Sequence, residues 1–117
     1  MALAKRMEIY HLRDAEGRAF AFEVENANLG RHGACRVADK IPGARVVRRQ
    51  RRFAWSNRDD FCEFELEGIT FVIEEPFGDN SRYWVGPKPP HYVPQIAVVR
   101  DVFARAGLLG LFIRAAG

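Results

Sequence analysis

Cysteine, histidine and lysine are scarce in this sequence of 117 residues, and each scarcity excludes something. Cys35 and Cys62 are too few for a disulfide-dense secreted scaffold. The opening stretch MALAKRMEIYHLRD holds no apolar run long enough for a signal peptide. No stretch approaches the roughly eighteen apolar residues of a membrane span. The longest apolar candidate, AGLLGLFIRAAG at 106–117, is shorter and contains Arg114. These absences predict a cytoplasmic protein with reduced thiols and no membrane partner. His11, His32 and His91 are scattered, with no CxxC or HxxxH spacing, so no metal centre is expected. GxGxxG, Walker and GxSxG motifs are missing as well, so no cofactor is expected and the chain reads as non-catalytic.

What is present suits one globular domain over 1–117. Hydrophobic residues make up 48 % and charged residues 28 %, which argues against wholesale disorder. A chain of this length buries somewhat over roughly 60 % of its unfolded surface, enough for a core without staples. Strand-like sequence starts at Met7, so residues 1–6 read as a flexible tail. The net charge of +3 is a weak nucleic-acid signal, because binders usually show a stronger, clustered excess.

Periodicity gives an element order. MEIYHLR (7–13) and RAFAFEV (18–24) flank the turn composition DAEG, which predicts a β-hairpin. Phe20, Phe22 and Val24 share one face. In ACRVADKI (34–41) the spacing of Cys35, Ala38 and Ile41 predicts a short helix, stopped by Pro42–Gly43. ARVVRRQRRFAW (44–55) reads as extended, followed by the turn cluster SNRDD. FCEFELEG alternates strictly, with Cys62, Phe64 and Leu66 on one face and Glu63, Glu65 and Glu67 on the other. ITFVIEE and SRYWVG read as two more strands around the turn PFGDN. PKPPHYVP is extended, and PQIAVVRDVFARAG carries an apolar stripe at helical spacing: Ile96, Val99, Val102 or Phe103, and Ala106. The tail at 108–117 is apolar but broken by glycine and is left unassigned. The order β-β-α-β-β-β-β-α predicts an α+β fold, a mainly antiparallel sheet of about six strands with two helices packed on one face.

RVVRRQRR, 45–52, holds five arginines in eight residues. Read alone it suggests a single-stranded nucleic-acid surface, with Phe53, Trp55, Tyr83 and Trp84 as stacking platforms. The next segment offers a simpler account. Residues 45–58 carry six positive charges and no negative one, and residues 59–75 carry seven negative charges and no positive one. Side by side, the two strands would neutralise each other. A register setting Phe53 opposite Glu63 would place Arg51 against Glu65 and Arg49 against Glu67, each pair worth about 0.2–1 kcal/mol. Arg48 and Arg52 then project to the other face and are the arginine candidates for function.

A second candidate surface lies in EEPFGDNSRYWVGPKPPHY. Asp79 and Asn80 belong to a turn, and Tyr83 and Trp84 point to opposite faces of a strand. Arg82 shares the Trp84 face, where the two could stack as cation and ring. Asp79, Asn80, Arg82 and Trp84 form a recognition rim, since Trp, Tyr and Arg are enriched among interface anchors. In RHGACR, Cys35 beside His32, Arg31 and Arg36 is a nucleophile candidate that would make the chain a thiol enzyme. The leading expectation is a small soluble module whose partner is another protein. By size and chemistry alone it is like small bacterial inhibitor- or immunity-type proteins. Single-stranded nucleic-acid binding is the alternative. Leu108, Leu109, Leu111, Phe112 and Ile113 offer a route to a homo-oligomer.

Overall fold

The computed structural model describes residues 7–25, 29–49, 60–76 and 81–106. The first hairpin forms around one aspartate. Asp14 Oδ1 accepts from the backbone N–H groups of Glu16 and Arg18 at 3.0 and 2.9 Å, and Oδ2 accepts from Arg18 Nε at 3.0 Å. Such bonds imitate a backbone turn, and Gly17 supplies the positive φ of 80° that the loop needs. Burial works to raise the Asp14 pKa, but the bonds from Arg18 outweigh it and hold the carboxyl below its ordinary value. The strands so joined are β1 (Ile9–Arg13) and β2 (Ala19–Glu25). The Met7 N–H donates to the Ala104 carbonyl at 2.8 Å, tying the start of the hairpin to the last helix.

The remaining elements are α1 (Gly30–Asp39), β3 (Ala44–Arg49), β4 (Asp60–Leu66), β5 (Ile69–Glu74), β6 (Arg82–Pro87) and α2 (Ile96–Ala104). The sheet order is β1-β2-β6-β5-β4-β3, and every neighbouring pair is antiparallel. The fold is α+β with an open six-stranded sheet and both helices on one face. α1 starts four residues before the segment 34–41 that its spacing marks. Arg31, in its first turn, pairs with Glu75 and lies 5.0 Å over the Phe61 ring. These tertiary contacts hold a polar turn that apolar periodicity does not mark. Ile41 is buried as the stripe implies, two residues beyond the helix end.

The core fills the space between helices and sheet. Tyr83, Phe22, Phe64, Phe71 and Phe103 are fully buried. Phe22 and Phe103 meet edge to face at 5.6 Å, which seats α2 on β2. Phe64 stacks on Phe71 at 5.3 Å, and Phe61 meets Tyr83 edge to face at 5.0 Å. Phe61 reaches this core because it is the extra residue of a bulge between Asp60 and Cys62. No described helix is long and apolar enough to cross a membrane.

Two expectations are corrected. The cysteines are not separate reduced thiols: Cys35 of α1 and Cys62 of β4 form a disulfide, their Cα atoms 5.9 Å apart. α1 packs across β3 and β4, and a separation of 27 residues gives no hint of that meeting. The register of the arginine strand also differs. Ala44 faces Leu66, Arg45 faces Glu65 and Val46 faces Phe64; after a bulge, Arg48 faces Glu63 and Arg49 faces Cys62. A one-residue slip would turn Val46 and Ala44 away from the core, so burial decides the pairing. Arg49 therefore bonds Asp39 of α1, at 2.9 and 3.2 Å, and not Glu67. Glu67 leaves the ladder altogether. It forms a two-residue turn with Gly68, at φ 52° and 77°, and accepts from Gln95 at 2.8 Å. Arg51 and Phe53 lie outside the described residues.

The packing of α2 is testable by truncation. Phe103→Ala should lower the unfolding free energy in denaturant by about 3–5 kcal/mol. Val98→Ala, on the exposed side of the same helix, should change it by less than about 0.5 kcal/mol. Comparable losses from both would contradict the assignment of faces.

Candidate functional site

The pleat sends every second side chain to the sheet face opposite the helices. Two rows cross that face. Tyr10 of β1 stands opposite Glu23 of β2, Glu23 opposite Trp84 of β6, Trp84 opposite Glu74 of β5, and Glu74 opposite Asp60 of β4. In the neighbouring row Gly86 faces Val72, Val72 faces Glu63 and Glu63 faces Arg48.

Gly86 explains how the tryptophan lies. A Cβ there would stand 2.7 Å from Trp84 Cη2, 3.1 Å from Cζ2 and 2.8 Å from the Ala21 Cβ. The indole therefore rests across the glycine, beside Ala21. A glycine in a strand interior commonly marks such a close approach. Trp84 is half-buried in this position.

Beside it, the Arg82 guanidinium lies 3.7 Å over the Tyr10 ring, and its Nη1 donates to Glu23 Oε1 at 3.2 Å. Arg82 shares a face with Trp84, as the alternation implies, but the ring it stacks on is Tyr10. Pairing of β1 with β2, and of β2 with β6, brings the two together from distant parts of the chain. Glu23 is 9 % exposed, and the arginine balances its charge. The Tyr10 hydroxyl has one proton and two carboxylates within reach, Glu25 at 2.9 Å and Glu8 at 3.1 Å. The bond to Glu25, followed by burial and Glu8, pushes its pKa up to about 12.

At the other end of the sheet the charges match. Arg48 donates to the Asp60 carbonyl and carboxylate, both at 3.1 Å, and lies 3.7 Å from Glu63. Lys88 reaches the same two carboxylates at 3.6 and 3.7 Å. Arg45 bonds Glu65 at 2.9 Å in a largely exposed pair, worth about 0.2–1 kcal/mol.

Of the recognition-rim candidates, the structure brings Arg82 and Trp84 together on one face. Arg48, expected on the face away from the glutamates, lies instead on the glutamate face opposite Glu63, because the bulge at Val47 shifts the register. Arg52, Asp79 and Asn80 lie outside the described residues. So do Leu108, Leu109, Leu111, Phe112 and Ile113. Cys35, the nucleophile candidate, is disulfide-bonded and 4 % exposed. Tyr10, Glu23, Glu25 and Gly86 escaped the sequence reading, whereas that reading sets Glu74 or Glu75 beside Asp79, Asn80 and Arg82. One signal was available: a small residue two positions after a tryptophan in a strand lets the ring lie down. The β2–β6 pairing that supplies Tyr10 and Glu23 has no local signature.

A separate, partly buried pair lies at the helix side. Arg31 and Glu75 form an ion pair there. Burial, then the Glu75 charge, pushes the Tyr83 pKa up to about 12, while Arg31 works the other way. Tyr83 is fully buried against Phe61, which suits a packing role. Among the described residues, no group of three or more His, Cys, Asp or Glu side chains could hold a metal ion. No family model, no curated protein and no solved structure matches the chain.

Two measurements check this geometry. Gly86→Ala should lift the indole, red-shift Trp84 emission and cost about 1–3 kcal/mol; an unchanged spectrum would refute the close approach. By carbon-13 NMR, Tyr10 should titrate near 12 and fall toward 10.0 in Glu25→Gln. A midpoint that does not move would contradict the hydrogen bond.

Proposed function

We propose that the chain is a non-catalytic binding module that docks a protein partner on the helix-free face of its sheet, around Trp84 and Arg82. The observation that carries this reading is the tryptophan itself: half-buried, laid over Gly86 and flanked by the Tyr10–Arg82 stack. A large ring held in one orientation loses little entropy on binding, which is what anchor residues at interfaces have in common. The stacked, hydrogen-bonded arginine beside it is held in the same way.

Charge supports a basic partner. On the β1–β2–β6 half, Glu8 and Glu25 bond the Tyr10 hydroxyl and Glu23 bonds Arg82, so three carboxylates gather around that stack. On the β3–β4 half, Asp60, Glu63 and Glu65 are matched by Arg48, Lys88 and Arg45. Glu74 stands next to Trp84. Among the described residues this face is therefore acidic on balance, and it favours a cationic surface over a polyanion. The described arginines of the cationic strand meet carboxylates, which weakens the case for single-stranded nucleic acid.

The test is recovery of partners from a lysate of cells that express the protein. Trp84→Ala and Arg82→Ala should each reduce recovery of a specific partner by about tenfold or more, as anchor truncations do. Equal recovery by wild type and both variants would refute this placement of the surface. A mixed single-stranded oligonucleotide pool should not bind at low salt. Binding that falls steeply with added salt would instead support the nucleic-acid reading.

A further inference from the structure

α1 docks through small side chains and one disulfide. Its buried side chains are Ala34, Cys35, Val37 and Ala38, whereas α2 buries Ile96, Val99, Val102 and Phe103. Apolar stabilisation scales with buried area, so α1 docks with the smaller hydrophobic contribution. Gly33 in its interior lowers helix propensity relative to alanine. Its N-cap residue, Leu29, makes no side-chain cap, and its first turn holds no acidic residue. Ten residues are too few for such a helix to stand in water unaided. Among the described residues, ion pairs flank it: Arg31 with Glu75 at the first turn, and Asp39 with Arg49 at the last. The second is solvent-exposed and contributes little. Between them, the bond from Cys35 to Cys62 fastens the middle of the helix to β4.

The sheet depends on α1 much less. β4 is hydrogen-bonded to β3 and β5 along its length. The Phe64–Phe71 and Phe22–Phe103 contacts include no α1 side chain. The helix can therefore leave without removing the aromatic contacts that join the strands and α2.

We propose that the Cys35–Cys62 disulfide is a redox-operated clamp on α1, closed in the working protein, and that its reduction frees the helix while the sheet and α2 persist. The step is exchange with a dithiol. A thiolate of the dithiol attacks one protein sulfur, forms a mixed disulfide and releases the other cysteine as thiolate. The second sulfur of the dithiol then displaces the remaining protein sulfur and closes its own disulfide. The protein gains two electrons and, once both thiolates are protonated, two protons; the dithiol is oxidised by the same amount. Cys35 is 4 % exposed and Cys62 is fully buried, so attack falls on the helix sulfur as α1 frays. Such a clamp stays closed where disulfides persist, in an oxidising compartment, and opens on entry into a reducing one. This replaces the cytoplasmic expectation with an oxidising working environment.

Hydrogen exchange on the full chain tests the clamp, with dithiothreitol as the reductant. On reduction, amides at 34–39 should exchange at least about tenfold faster, while amides of β5 and β6 change less than about twofold. The Cys35→Ala/Cys62→Ala double variant should show the same pattern without reductant. No change in α1, or an equal loss of protection across the sheet in either experiment, overturns the proposal. Acid-quenched protein from its native cells should take up no alkylating label after unfolding. Two labels per chain would overturn the closed state.

Discussion

The pairing of β2 with β6 is the constraint on which the rest of the structure depends. It sets Phe22 opposite Val85 and Val24 opposite Tyr83 on the helix side, and Glu23 opposite Trp84 on the other. Without it the N-terminal hairpin would have no sheet to join, and two strands alone are marginal in water. With it, Phe22 is placed where Phe103 can cover it, so α2 has a docking surface. The same contacts carry Tyr10 within stacking distance of Arg82. Core and candidate site are thus two faces of one pairing, separated only by the alternation of the strands.

Electrostatics follow from that topology. The cationic strand and the anionic strand do lie side by side, and most of their described charges meet across the sheet or against α1. Among the described residues, neutralisation is complete at the β3 edge and incomplete at the β1–β2 edge, where carboxylates gather around one arginine and one phenol. The proposed partner would meet the end where, among the described residues, carboxylates outnumber cations. The apolar element of that end is Trp84, laid flat because Gly86 has no side chain.

Much of the fold is legible in the sequence. The alternation of Phe22 and Val24, and of Cys62, Phe64 and Leu66, announces strands with an apolar row in the core, whereas Phe20, expected in the first row, is half-buried at the register shift between β1 and β2. The Ile96–Val99–Val102–Phe103 stripe announces a helix. Turn chemistry at Asp14 and at Pro42–Gly43 separates these elements. What resists reading is every decision made between distant segments. The bulges at Val47 and Phe61 shift the β3–β4 register without a local mark, because each inserts one residue that burial accommodates. Arg49 meets Asp39, and Cys35 meets Cys62, only because α1 crosses β3 and β4. Trp84 and Arg82 were legible as a shared face; Tyr10, Glu23 and Gly86 became neighbours through pairings that loop closure alone does not dictate.

The central claim is that Trp84 lies on the helix-free face, resting on Gly86 beside Ala21, because β2 pairs with β6. Nuclear Overhauser contacts from the indole protons test it most directly. The account predicts contacts from the Trp84 six-membered ring to the Gly86 Hα protons and the Ala21 methyl, and between the Tyr10 ring and the Arg82 side chain. Indole contacts to Phe22, Phe103 or the α2 side chains, with none to Ala21, would place the ring in the core and contradict it.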